Sequence, residues 1–175
     1  MSTLIPCDYW NGTQTVELGI PWITPESIHY LDNFFLANKD VTVLEFGAGG
    51  STLYFAKKAK YVLSFETLWP WYLKIKEIVF TQYPNVDLHF VESIDQIVKI
   101  IGDKKFNLSL VDICNISRPD LCKLSLPHLQ PGSLLVLDNY SADYCDGMDP
   151  IFLNMQQKPF DDAHWAGSGT KIFHV

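Results

Sequence analysis

The sequence predicts an α/β fold in which a single domain is doubly wound around a mostly parallel sheet. Five short apolar runs alternate with helical patterns between residues 41 and 138, an alternation typical of βαβ units. Runs such as SLLVLD are apolar almost throughout, which indicates strands buried on both faces of the sheet. A chain of 175 residues has the length of one ordinary domain, and its 47% of hydrophobic residues can fill one core.

The first helix and the first three strands follow in order along the chain. A helix is predicted over residues 23–37, because Thr24 can serve as its N-cap and Pro25 suits its first turn. Strands are then predicted at 41–46, 61–66 and 86–92. The helices that follow them are predicted to end near residue 59 and to span 70–82 and 94–101.

The remaining elements complete the predicted sheet. Strands are expected at 106–112 and 133–138, with a helix over 119–126 and a turn at the Gln-Pro-Gly of residues 130–132 between them. After a polar loop, a helix over 150–157 and two strands at 162–167 and 170–175 are expected. Only Ser168 and Gly169 lie between the ends of these two runs, which predicts a closing hairpin.

Charge and composition narrow the partners. The chain has 13 basic and 20 acidic residues, a formal net charge of −7, and Arg118 is its single arginine. A nucleic-acid-binding protein normally carries a basic face, so we expect no nucleic-acid partner. No apolar run reaches the ~18 residues of a membrane span, and the first residues have no signal-peptide pattern. We therefore expect a cytoplasmic protein without membrane contact, whose four cysteines are free thiols.

Acidic residues stand at the carboxyl ends of all five predicted strands: Glu45, Glu66, Glu92, Asp112 and Asp138. In open α/β sheets, ligands bind at this edge, near the point where the strand order reverses. A fold by itself does not require such a row of carboxylates. The row therefore predicts a ligand site at this edge of the sheet.

A glycine-rich turn, EFGAGGST, follows the first strand. Dinucleotide-binding turns have the pattern G-x-G-x-x-G, but Thr52 stands where the third glycine belongs. Turns that bind S-adenosylmethionine have the pattern acid-x-G-x-G, which Glu45, Gly47 and Gly49 match. A carboxylate at Glu45 would repel a pyrophosphate, whereas it suits the ammonium and sulfonium of S-adenosylmethionine. Glu66 can accept hydrogen bonds from ribose hydroxyls in either class of cofactor.

Four stretches carry a resemblance to a known family: VLEFGAGGSTLYFA, VLSFE with the nearby Trp71, PWITPESI and GTKIF. Over residues 20–175 the chain resembles the class I S-adenosylmethionine-dependent methyltransferases, in particular a small subgroup with an EFGxGxST first motif. The resemblance implies a Rossmann-like, seven-stranded sheet in the order 3-2-1-4-5-7-6, with strand 7 antiparallel. It implies one methyltransferase domain, with a cap and helix in residues 1–40 and the core in residues 41–175. The implied reaction is methyl transfer to a small molecule, at oxygen or nitrogen.

The motifs and this resemblance together give the candidate site residues. Asp112 is the first candidate for a catalytic base or orienting group and Asp138 the second. Asn139 and Tyr140 are the candidate substrate residues. The predicted cofactor-binding set is Glu45, Phe46, Gly47, Ala48, Gly49, Ser51, Glu66, Thr67, Leu68, Glu92, Ser93 and Asp112.

A second, narrower resemblance concerns a metal. The segments LVD at 110–112 and LDNY at 137–140 are similar to the divalent-metal O-methyltransferases that act on catechol and caffeoyl-CoA. The similarity would make Asp112, Asp138 and Asn139 oxygen ligands of Mg²⁺, which would hold a substrate oxygen. The lysine and tyrosine that usually follow the first aspartate are missing, and Asp-Asn pairs also cap turns in metal-free relatives. A metal is therefore possible here but not favoured.

Several alternatives stay open. His128 and His164 are weaker candidate bases, and His128, Trp71 and Tyr72 are expected to have structural roles. The chain could also be a non-catalytic S-adenosylmethionine-binding subunit. An NAD(P)-dependent oxidoreductase is a less favoured alternative, because Thr52 and Glu45 depart from the dinucleotide-binding pattern. The acceptor and the oligomeric state do not follow from the sequence.

Overall fold

The computed structural model describes residues 16, 19–140, 152, 155–160 and 169–175. The α-helices are α1 (Pro25–Ala37), α2 (Gly50–Ala56), α3 (Trp69–Gln82), α4 (Ile94–Ile101) and α5 (Arg118–Ser125), and a 3-10 turn follows at Leu126–His128. The strands are β1 (Thr42–Phe46), β2 (Tyr61–Glu66), β3 (Val86–Phe90), β4 (Phe106–Val111), β5 (Leu129–Leu137), β6 (Gln157–Phe160) and β7 (Thr170–His174). None of the helices in these ranges is long and apolar enough to cross a membrane.

The strands form one sheet in the order β3-β2-β1-β4-β5-β7-β6. The first five strands pair in parallel, and β7 runs antiparallel to both β5 and β6. This arrangement confirms the predicted order and the antiparallel seventh strand. The chain winds outward from β1 through β2 to β3, then returns to place β4 on the other side of β1. The strand order therefore reverses between β1 and β4, where a ligand site is expected.

Strand residues alternate between two cores, one on each face of the sheet. Leu44 and Phe46 pack on the face that α4 and α5 cover, through residues such as Ile97 and Leu121. Val43 packs on the opposite face with α1 and α2, where Leu31, Tyr54, Phe55 and Val62 lie. Burial on both faces agrees with the apolar runs of β1 and of residues 134–137 of β5, whereas the edge strand β3 is only partly buried and carries Asp87 and His89.

The first helix begins as predicted, but its cap differs. Thr24 is the N-cap and Pro25 is in the first turn, yet the Thr24 hydroxyl makes no hydrogen bond within the described residues. The Thr24 N–H instead donates to Thr170 Oγ1 at 3.0 Å, and the Ser27 hydroxyl donates to the Thr24 carbonyl at 2.7 Å. The start of α1 is thus attached to β7.

The predicted turn at residues 130–132 is wrong. These residues belong to β5, and the pairing with β4 shifts register between Phe106 opposite Leu129 and Leu108 opposite Leu134. Gly132 has a φ of +84°, and its N–H donates to the Val175 carbonyl at 2.7 Å. The extra residues form an irregularity within a paired strand, which is a common use of Gly and Pro near strand ends.

The sixth strand lies earlier than predicted. It covers Gln157–Phe160, and Phe160 pairs with Thr170 across the antiparallel ladder. The predicted strand at 162–167 and half of the predicted helix at 150–157 fall outside the described residues, and the end of that helix is wrong, because residues 155 and 156 are not helical and Gln157 begins β6. The last two strands pair with each other, as predicted. Residues 161–169 lie between them in the sequence, where the prediction placed only two residues. Because β6 is an edge strand, Pro159 is tolerated there.

Candidate functional site

Four of the five predicted strand-end acids gather at one edge of the sheet. Glu45, Glu66 and Asp138 expose 5% of their surface or less, and the Asp112 side chain exposes 26%. Their charges interact, since Glu66 raises the pKa of Glu45, and both Glu45 and Asp138 raise the pKa of Asp112. Glu92 is instead exposed beyond β3, the edge strand, and its N–H donates to Gln96.

The glycines of the turn after β1 have different roles. Gly47 has a φ of +101°, and a Cβ on it would lie 2.1 Å from the Asp112 carbonyl oxygen. The close packing of the turn on the end of β4 therefore requires Gly47. Among the described residues, a Cβ on Gly49 would meet only the Trp71 indole, at an ordinary 3.9 Å. Gly49 is buried, and its lack of a side chain would let a ligand approach its backbone closely.

Trp71 covers this turn from α3. Its indole N–H donates to the Ala48 carbonyl at 2.5 Å, and Lys74 lies over its ring at 5.0 Å. The sequence predicts a structural role for Trp71, and this contact joins it to the glycine-rich turn. Tyr72 is buried and packs against Phe90 of β3, in agreement with the structural role predicted for it.

Glu45 is fully buried behind the turn. Its Oε2 accepts hydrogen bonds from the hydroxyls of Ser64 at 2.5 Å and Thr52 at 2.7 Å. The Thr52 hydroxyl also accepts the Gly49 N–H at 2.9 Å, so the residue that departs from the dinucleotide pattern links the acid to the turn. Burial raises the pKa of Glu45 to about 7, although the hydroxyls of Ser51, Ser64 and Thr52 lower it. Glu45 Oε1 makes no hydrogen bond within the described part of the chain.

Glu66 connects the glycine-rich turn to the loop after β2. Its Oε1 accepts the N–H groups of Thr67 and Leu68, each at 2.7 Å, and its Oε2 accepts the Ala48 N–H at 3.1 Å. Burial nevertheless gives Glu66 a raised pKa. A carboxylate offers about four acceptor positions, so three backbone donors leave about one for a ligand hydroxyl. The predicted pairing with both ribose hydroxyls would displace at least one of these contacts.

Arg118 joins the ends of β4 and β5, and the sequence by itself gives it no role in the site. It is buried at the first position of α5. Its Nη2 donates to Asp112 Oδ1 at 2.9 Å, and its Nη1 donates to the Asp138 carbonyl at 2.7 Å and to Asn139 Oδ1 at 3.0 Å. Its Nε donates to the Ile113 carbonyl at 3.1 Å. The guanidinium lowers the pKa of Asp112, but burial and Asp138 outweigh it, and the net direction is upward.

The other candidates at the end of β5 lie against β7. Asp138 Oδ1 accepts the Thr170 hydroxyl at 2.7 Å. Asn139 has a φ of +49°, a left-handed conformation that asparagine tolerates. The Tyr140 N–H donates to the Gly169 carbonyl at 2.8 Å, and Lys171 Nζ lies 3.8 Å from the centre of the Tyr140 ring. The segment that carries the substrate candidates is therefore fixed to the last strand.

The residues predicted as metal ligands do not fit a divalent cation. Arg118 donates to Asp112 Oδ1, one of the two oxygens of that carboxyl, and to Asn139 Oδ1, the single side-chain oxygen that Asn139 could offer a metal. The guanidinium would also repel a second cation at the same oxygens. The described residues contain no group of three or more His, Cys, Asp or Glu that could hold a metal ion.

The remaining predicted residues occupy varied positions. Phe46 is fully buried and stacks on Phe65, so only its backbone is available to the site. Ser51 is buried in the first turn of α2, and Ser93 precedes α4 as its N-cap. His128 lies before β5, at the opposite edge of the sheet, where its Nδ1 is 3.0 Å from the Lys104 carbonyl. His164 lies outside the described residues.

No family model and no curated protein matches the chain. Solved structures do match the chain. An O-methyltransferase from Bacillus cereus in complex with S-adenosylhomocysteine (SAH) is 15% identical, with a TM-score of 0.73, covering 98% of this chain and 92% of that one. The O-methyltransferase TomG from Streptomyces achromogenes, in complex with S-adenosylmethionine (SAM), is 13% identical, with a TM-score of 0.69, covering 93% of this chain and 88% of that one. A tRNA (m1A58) methyltransferase from Aquifex aeolicus is 17% identical, with a TM-score of 0.59, covering 87% of this chain and 68% of that one. These similarities show the fold and confirm its predicted Rossmann-like class.

Proposed function

We propose that this protein transfers a methyl group from S-adenosylmethionine to a small-molecule acceptor, at oxygen or nitrogen. The observation that carries the proposal is a pair of buried carboxylates, Glu45 and Glu66, that flank a glycine-rich turn where the strand order reverses. Such a site has negative potential and suits a cationic nucleoside better than a pyrophosphate. The solved structures with SAM or SAH on the same fold give independent support.

The residues of the turn would hold the cofactor in distinct ways. The absence of a side chain at Gly49 would let it approach the backbone closely, with Trp71 as one wall. Glu45 Oε1, buried and without a partner in the described residues, is an acceptor for an ammonium group, directly or through water. Glu66 is the acceptor for a ribose hydroxyl. When bound, S-adenosylmethionine supplies a methyl group made electrophilic by its sulfonium.

The chain's own residues would then position the acceptor. Alignment of the acceptor with the methyl group contributes up to ~7–11 kcal/mol in favourable cases, and it requires rigid neighbours. Asp112, partly exposed at the cleft between β1 and β4, is the group we assign to orient the acceptor or take its proton. Asp138 is the second candidate for this role, and Asn139 and Tyr140 would contact the substrate.

A small acceptor agrees better with the chain's charge than a nucleic acid. The net charge is −7, and the single arginine is bonded inside the site. The similarity to a tRNA methyltransferase concerns the fold and does not supply the basic surface that RNA requires.

A methyl-transfer assay tests the proposal. Wild-type protein would be incubated with methyl-labelled S-adenosylmethionine and separate pools of phenols, carboxylic acids and amines. We expect label in at least one pool, and at subsaturating cofactor a loss of at least about tenfold for Glu66→Gln. Glu77→Gln, an exposed carboxylate on α3, is the matched control and should behave as wild type. Tight binding of S-adenosylhomocysteine with no label in any pool would favour a non-catalytic subunit instead.

A further inference from the structure

The cluster formed by Arg118, Asp112, Asp138 and Asn139 contains a cation that belongs to the chain itself. Within the described part of the chain, four hydrogen bonds of 2.7 to 3.1 Å link the Arg118 guanidinium to acceptors after β4 and after β5. Two of these acceptors are the side-chain oxygens of Asp112 and Asn139. The guanidinium is therefore the element that joins the two strand ends at the site.

Arginine suits this position better than lysine would. Its planar fork presents five donors in fixed directions, whereas an ammonium is a compact point charge that cannot bridge acceptors so widely spread. The start of α5 supplies the placement, because the Ser117 hydroxyl caps the helix by accepting the Asp120 N–H at 3.4 Å. Arg118 is thus the first residue of a capped helix, directed at the ends of two neighbouring strands.

The charge of the cluster indicates what the guanidinium replaces. Asp138 makes the ionisation of Asp112 more costly, and the Arg118 guanidinium offsets part of that cost. In the sequence resemblance, the same three side chains would share a divalent cation. Here Arg118 already bonds one carboxyl oxygen of Asp112 and the side-chain oxygen of Asn139, and Asp138 Oδ1 accepts the Thr170 hydroxyl.

We propose that Arg118 takes the place of a divalent metal, so that the chain positions Asp112 and the Asp138-Asn139 segment without a metal ion. Arg118 is then a positioning residue, acting on the acceptor through Asp112. Only the reference to an acceptor rests on the proposed function. The cation cluster itself stands on the geometry, and it can be tested without turnover.

The first test uses metal-free wild-type protein and Mn²⁺ as the probe, with free Mn²⁺ followed by electron paramagnetic resonance. We expect no saturable binding with a Kd below about 1 mM. S-adenosylhomocysteine affinity should agree within about twofold in EDTA and in excess Mg²⁺. Stoichiometric Mn²⁺ binding that Asp112→Asn abolishes would overturn the proposal. A failure to bind S-adenosylhomocysteine would count against the proposed function and leave the Mn²⁺ result valid.

The second test removes the internal cation. Arg118→Ala and Arg118→Met should lower Tm by about 10 °C, because the Asp112 carboxylate loses its ion-pair partner and three further acceptors lose a buried donor. We expect the variants to gain Mn²⁺ affinity of at least about tenfold and to recover part of the lost Tm when Mn²⁺ is added. A merely structural arginine would not produce this gain, so its absence in a folded variant would overturn the proposal. If neither variant folds, the wild-type Mn²⁺ result decides.

Two further variants complete the design. Lys123→Met removes a positive charge from the exposed side of the same helix, where Lys123 lies 3.8 Å from Asp120. It should change neither Tm nor Mn²⁺ affinity beyond error. Arg118→Lys keeps the charge but loses the fork, so it should block Mn²⁺ as wild type does and recover only part of the Tm.

Discussion

Replacing the buried carboxyl of Glu45 with an amide should change how the stability of the protein depends on pH. Glu45 is 0% exposed, and burial raises its pKa from 4.5 to about 7 despite the hydroxyl groups around it. In the unfolded chain the carboxyl titrates near its ordinary value. Between these two pKa values the folded state binds more protons, so the stability of the wild type falls as pH rises through this window.

The size of the effect follows from the two pKa values. A rise from 4.5 to about 7 corresponds to about 3 kcal/mol, and most of this is lost between pH 5 and pH 8. Glu45→Gln retains an acceptor for the hydroxyls of Ser64 and Thr52 but has no proton to lose. The stability of the variant relative to wild type should therefore rise by about 2–3 kcal/mol over that pH range.

Urea unfolding of both proteins at a series of pH values measures this difference. Titrating groups that do not interact with Glu45 contribute alike in both proteins and cancel, whereas the smaller interactions of Glu45 with Glu66 and Asp112 are part of the measured difference. Glu77→Gln, on the exposed face of α3, should give a difference from wild type that is flat with pH. If the stability difference between Glu45→Gln and wild type is also independent of pH, the raised pKa of Glu45 is wrong, since the carboxyl then titrates alike in the folded and unfolded states.

Three further predictions concern the turn and the last strand. Gly47→Ala should destabilise the protein by more than about 3 kcal/mol in urea unfolding, because its Cβ would lie 2.1 Å from the Asp112 carbonyl oxygen. The free energy of unfolding of Gly49→Ala should stay within about 1 kcal/mol of wild type, but calorimetry should show S-adenosylhomocysteine binding weakened at least about tenfold. Unchanged binding in this variant would contradict a close approach of the ligand to Gly49. Thr170→Val should cost about 1–3 kcal/mol, because Asp138 loses a buried donor, whereas Thr170→Ser should retain most of the stability.

The strand order and most element bounds could be predicted from the chain because local patterns determine them. The helix over Ile94–Ile101 and the strand over Tyr61–Glu66 have the predicted limits, since apolar periodicity and flanking breakers coincide there. The strand Gln157–Phe160 could not be found in this way. Its sequence, Gln-Lys-Pro-Phe, has little strand propensity, and its ladder depends on pairing with β7, which is a tertiary effect.

The candidate site shows the same division. The placement of Glu45 and Glu66 follows from the strand ends, which a sequence pattern reveals. The roles of Gly47 and Gly49 differ only through backbone conformation and the nearness of β4, so the pattern treats them alike. The Arg118 contacts arise because the start of α5 lies beside the ends of two strands, and a single arginine in the sequence was the only available signal.

Calorimetric titration of the purified protein with S-adenosylhomocysteine, with NAD and NADP as comparisons, tests the central claim most directly. We expect saturable, one-to-one binding of S-adenosylhomocysteine and no binding of either dinucleotide. Binding of NAD or NADP in its place would contradict the assignment of the Glu45 and Glu66 site to a cationic nucleoside.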